Sequence, residues 1–106
     1  MDKWTADELK IIVDETIKLP NKHGIGILKF IASANSKGEV CEYNLAYINF
    51  NICKIDDGIV LGYEQNHECH RRHYMGKIED VDFTTYEAIA ERFESEWREI
   101  HEERQK

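Results

Sequence analysis

The sequence predicts an α+β fold: an N-terminal helix, a three- or four-stranded antiparallel sheet and a C-terminal amphipathic helix. Three observations predict it. A T-x-x-E pattern opens a helical apolar spacing near each end of the chain. Between the two lie segments rich in β-branched and aromatic residues. Gly- and Asn-containing turn signals separate those segments.

The first helix is expected over Trp4 to Leu19. Thr5 and Glu8 form its capping box, and Trp4 packs on Leu9 as a staple. Leu9, Ile12, Val13 and Ile17 then share one face, and Pro20 ends the helix. Ile25 to Ala34 is the first expected strand. Asn35-Ser36-Lys37-Gly38 is a turn, and Val40 to Phe50 returns as the second strand. Asp56-Asp57-Gly58 is another tight turn, after which Ile59, Val60 and Leu61 open a third strand. His73 to Ile78 reads as a fourth strand with Gly76 at a bulge or close approach. The last helix is expected from Thr84 to about Glu103. Thr84 and Glu87 are its capping box; Tyr86, Ile89, Ala90, Phe93, Trp97 and Ile100 are its apolar stripe.

A chain of 106 residues is expected to form one domain, residues 1–106. With 42% apolar and 33% charged residues and a single Pro, it is not a disordered composition. No apolar run approaches the roughly 20 residues that span a bilayer, and the N-terminus lacks a signal-peptide core. The expected location is the cytoplasm. The cysteines Cys41, Cys53 and Cys69 are odd in number and form no CxxC, which argues against a disulfide framework or a zinc ribbon. The net charge is −7, and residues 78–106 hold ten acidic and four basic side chains. Long-range steering toward nucleic acid is therefore poor.

One short stretch stands apart, GYEQNHECHRRHYMG, from Gly62 to Gly76. It carries His67, His70 and His73, the only adjacent arginine pair, Arg71 and Arg72, and Tyr74, with Lys77 just beyond. Imidazoles suit proton transfer near neutral pH, and guanidinium forks suit phosphate oxygens. Metal-independent phosphodiester cleavage is one reading. In it His67 and His73 are base and acid in either order and Arg71 holds phosphate. His70 adds to this catalytic set, while Arg72, Tyr74 and Lys77 assist substrate binding. A second reading is a metal-binding domain, but the histidine spacing fits neither a strand face nor a helix face, and the arginines repel a cation. No metal or other cofactor is expected. A third reading is a structural or partner-binding edge with no chemistry. The acidic face of the last helix is a solvated surface or a site for a basic partner.

The stretch also resembles the TumE-type toxins of bacterial toxin–antitoxin modules. The resemblance rests on Leu61, Gly62, Tyr63, Asn66, His67, His70, Arg71, His73, Gly76, Phe83, Thr84, Tyr86 and Glu87, and spans roughly residues 43–97. Glu64 stands where that family has Asp. Gln65 adds a residue before Asn66, and Arg72 separates Arg71 from His73 where the family runs contiguously. The resemblance implies a toxin-like role in a bacterial operon and an antitoxin partner, often a helix-turn-helix DNA-binding protein. It supplies a role more than a mechanism. The candidate ribonuclease activity, with RNA as substrate, comes from the residues. The alternative is a non-catalytic interaction module. A homodimer through an exposed edge strand also stays open, and no membrane partner is expected.

Overall fold

In a computed structural model the described residues form a six-stranded antiparallel meander with one α-helix packed on one face. The structure describes residues 9–21, 24–66 and 69–105. The strands are β1 (Lys10–Asn21), β2 (Gly24–Ala34), β3 (Val40–Ile48), β4 (Ile59–Asn66), β5 (Cys69–Tyr74) and β6 (Lys77–Asp80). Helix α1 spans Tyr86–Gln105. Strands neighbour one another in chain order, and each pair is antiparallel.

The expected fold class is corrected on two points. The first helix is absent from the described residues: Lys10–Asn21 is strand, paired along its length with β2. The proposed cap at Trp4, Thr5 and Glu8 lies outside the described residues. Helical spacing of Ile12, Val13 and Ile17 was a coincidence of a denser pattern. Ile11, Ile12, Val13, Thr16 and Ile17 are all β-branched, which stiffens them against a helix and suits a pleat. A bulge between Ile11 and Val13 disturbs the alternation that would have given the strand away. Pro20 does not end a helix; it sits near the end of an edge strand, where its missing N–H costs little.

The second point is the strand count, six and not three or four. The expected fourth strand, His73 to Ile78, is the end of β5, a turn and the start of β6. Met75 and Gly76 have φ of 50° and 89°, so both central residues of the two-residue hairpin are left-handed. That is the turn whose twist matches paired strands, written here with Met where Asn or Asp is usual.

Other expected elements match closely. The Asn35–Gly38 turn is closed by Asn35, whose Oδ1 accepts from the N–H groups of Lys37 (2.9 Å) and Glu39 (3.0 Å). The cap of α1 shifts by one residue. Thr85 Oγ1 accepts from the Ala88 N–H at 3.0 Å, so Thr85, not Thr84, is the N-cap.

Alternation divides the sheet into two faces. Leu28, Ala32, Tyr43, Leu45, Tyr47, Leu61 and Tyr63 are buried on the helix side, beneath Ile89, Phe93 and Trp97. Phe93 meets Phe30 and Tyr63 edge-on, with ring centroids 5.7 and 6.4 Å apart. The stripe expected on the helix is therefore the core, lying over β3 and β4. Among the described residues the opposite face has no helix. At one end the segment between β3 and β4 reaches back to it and delivers Asp56. Among the described residues no helix is long and apolar enough to cross a membrane.

Candidate functional site

Strand β5 splits the run His70-Arg71-Arg72-His73 between the two faces. Tyr63 pairs with Arg72 and Leu61 with Tyr74, so Arg72 and Tyr74 share the helix side. Gly62 pairs with His73 and Glu64 with Arg71, so Arg71 and His73 share the helix-free side.

On the helix side the polar groups are consumed by the fold. Arg72 Nε donates to the Tyr63 hydroxyl at 3.0 Å and to Glu96 Oε1 at 3.3 Å, and Nη1 donates to Glu79 at 3.2 Å. Its guanidinium also lies 5.1 Å from the Tyr74 ring centroid. The Tyr63 hydroxyl donates to Glu96 Oε1 at 2.6 Å. Burial, and then this bond to Glu96, push the Tyr63 phenol up to about 12 despite Arg72. The network ties α1 to β4, β5 and β6. His70 is stacked on Phe83, with centroids 4.0 Å apart and planes 11° from parallel. Its Nδ1 is hydrogen-bonded to the Tyr43 hydroxyl at 2.9 Å. Burial lowers its pKa, which favours the neutral ring.

The helix-free side holds a row of alternating charge. His73 Nδ1 lies 2.8 Å from Asp56 Oδ2, and Nε2 lies 2.6 Å from Glu64 Oε2. Both ring nitrogens can donate at once only in the imidazolium. Burial pulls its pKa down, but the bonds to Asp56 and Glu64 and their charges outweigh it, and the net shift is upward. Arg71 Nη2 stands 3.8 Å from Glu64 Oε2 and extends the row. The order along it is Asp56, His73, Glu64, Arg71. His73 itself is 9% exposed, while Glu64 and Arg71 are half-buried at the surface.

Asp56 is delivered by a strained turn. Asp56, Asp57 and Gly58 have φ of 52°, 54° and 81°, three left-handed residues in succession. Asp tolerates this region better than most residues, at a cost of about 1–2 kcal/mol each. Buried Asn49 anchors the loop: its N–H donates to the Gly58 carbonyl at 2.9 Å, and its carbonyl accepts from Ile52 and Cys53. Gly62 faces His73 across the ladder, where a Cβ would stand 3.7 Å from His73 Cβ and 3.1 Å from Ile59.

No family model, curated protein or solved structure matches this chain.

Of the residues singled out in the sequence, Arg71 and His73 come together. His70, Arg72 and Tyr74 are turned to the other face, and Lys77 is exposed across from Tyr74. His67 lies outside the described residues. Asp56 and Glu64 were not singled out. Glu64 could have been found by pairing β4 with β5 in antiparallel register, which places it opposite Arg71. Asp56 carried no such signal, because a loop and not a strand brings it in. Among the described residues no three His, Cys, Asp or Glu side chains are grouped to hold a metal ion. All three cysteines are free thiols: Cys53 buried, Cys41 half-buried and Cys69 exposed on β5.

Proposed function

We propose that this protein is the toxin-like component of a bacterial toxin–antitoxin module and acts as a metal-independent ribonuclease on its helix-free face. The observation that carries the reading is the Asp56–His73–Glu64–Arg71 row. Cleaving RNA at a 2′-hydroxyl needs a base beside that hydroxyl and a cation beside the phosphate. Glu64 supports the first role. Among the described residues its contacts fall on Oε2, and Oε1 supplies the lone pair for the proton of the 2′-OH. Arg71 supports the second, with its guanidinium beside that carboxylate.

In the proposed step Glu64 takes the 2′ proton and the 2′ oxygen attacks phosphorus. The bond to the 5′ oxygen breaks, and that oxygen takes a proton from water on the far side. The products are a 2′,3′-cyclic phosphate and a 5′-hydroxyl. His73 positions Glu64 and keeps a positive charge next to the developing dianion. Asp56 holds the far side of the ring, so the imidazole cannot swing away. The partner of such a protein is an antitoxin, which would neutralise it by covering this face. Exposed Ile31 and Ile78, which flank the row through their pairing with Asn44 and His73, offer that partner apolar contact.

The test is incubation of purified protein with a mixed-sequence RNA at neutral pH in a metal chelator. The reading expects cyclic-phosphate ends, with about 100-fold or greater loss in Glu64→Gln, the scale of a removed acid–base group. RNA left intact by correctly folded wild-type protein overturns it.

A further inference from the structure

A second feature is a cavity of about 270 Å³ lined by Ile31, Ser33, Glu42 and Asn44 of the helix-free face, together with Tyr43 and Gln65, which belong by strand parity to the helix side. It lies at the lower edge of the size range of ligand pockets, room for one ring system and not for a large cofactor. The register fixes its place. Ile31 pairs with Asn44, and Asn44 pairs with Glu64, so the cavity opens one strand away from the proposed base. Adjacent strands are about 4.8 Å apart. Cavity and Glu64 are thus separated by the span of one nucleoside, with a base at one end and a ribose hydroxyl at the other.

The lining selects among bases. Glu42 is an exposed carboxylate, paired in register with Ser33 on the cavity wall. A carboxylate only accepts hydrogen bonds, and its two oxygens accept side by side. Guanine alone among the four RNA bases presents two adjacent donors, N1–H and N2–H, on its pairing edge. Adenine and cytosine place an acceptor beside a donor there, and uracil flanks one donor with two acceptors. The Asn44 amide can donate to O6. Ile31 supplies an apolar contact for the ring. We propose that the Ile31–Glu42–Asn44 part of this cavity is a guanine subsite, which presents the ribose of a guanosine to Glu64. The proposal rests on the ribonuclease reading for its substrate, but base binding can be measured without cleavage.

The test uses the full chain and the four ribonucleoside 3′-monophosphates, followed by amide NMR titration. The expected result is binding of 3′-GMP at least ten-fold tighter than 3′-AMP, 3′-CMP or 3′-UMP, with shifts centred on Glu42 and Asn44. Glu42→Gln, an exposed and isosteric change, should abolish the preference, and Asn44→Ala should weaken it. Equal affinity for the four nucleotides, no binding of 3′-GMP at millimolar concentration, or an unchanged preference in Glu42→Gln overturns the subsite. RNA cleavage without preference for G also overturns it, while the ribonuclease reading stands. Selective 3′-GMP binding with RNA left intact does the reverse: the subsite stands and the ribonuclease reading falls.

Discussion

His70 and His73 are three residues apart on one strand and live in opposite worlds. His70 lies flat on Phe83 beside the Tyr43 hydroxyl, and burial disfavours its charge. His73 is held between Asp56 and Glu64, and its charge is favoured. The arginines between them divide in the same way. Arg72 ties the helix to the sheet through Tyr63, Glu96 and Glu79, whereas Arg71 touches one carboxylate at 3.8 Å. The pleat of β5 has sorted one cationic run into a half tied to the helix and a half paired with carboxylates on the opposite face. Composition did not decide the roles; parity along the strand did.

The largest expected effect of breaking this division is on activity. His73→Gln should lower RNA cleavage by about 100-fold, since Glu64 loses its positioning cation, while His70→Gln should lower it little. An initial-rate assay on both variants, after a check of their folding, measures the contrast. A loss of equal size in both would erase the distinction between faces.

Stability should show the opposite ranking for the arginines. Arg72→Ala strips a half-buried network and leaves Glu96 and the Tyr63 hydroxyl without it. The expected cost is about 1.5–3 kcal/mol in urea unfolding. Arg71→Ala removes one long, partly exposed pair and should cost under about 1 kcal/mol. Comparable losses would mean that Arg71 also serves the fold.

The pH dependence separates the two imidazoles by sign. His73 binds its proton more tightly folded than unfolded. Its contribution is complete below the unfolded value of about 6.5 and is lost as pH rises through the raised folded value. His70 binds its proton less tightly when folded. Its contribution is present above about 6.5 and is lost as pH falls through the lowered folded value. Replacing His73 by Gln should flatten the alkaline side of the stability curve; replacing His70 by Gln should flatten the acidic side. Urea midpoints between pH 5 and 9 read both.

The smallest expected effects concern backbone details. Thr85→Ala should cost about 1 kcal/mol through loss of the N-cap, and Thr84→Ala close to nothing. Thermal melts of the pair decide which threonine caps α1.

These contrasts also mark what could be read from residues alone. The C-terminal helix was legible because its stripe from Tyr86 to Ile100 repeats at helical spacing and meets a real core. The Asn35–Gly38 turn was legible because an Asx turn writes itself locally. Strand β1 was not, because five β-branched residues broken by a bulge also fit a helical count, and the pairing with β2 that decides the matter is not local. The hairpin at Met75-Gly76 hid behind a Met in a left-handed position. At the candidate site, Arg71 and His73 stood out in the sequence as a charged, titratable pair. Their shared face with Glu64 follows from register, and the role of Asp56 from a loop fold that no spacing encodes.

The most direct test of this account is nitrogen NMR of the histidine side chains across the neutral range. The account predicts a His73 ring that titrates above the ordinary histidine value of about 6.5 and a His70 ring that titrates below it. A His73 that titrates at or below the ordinary value, or no higher than His70, would contradict the clamp between Asp56 and Glu64, and with it the division between the two faces.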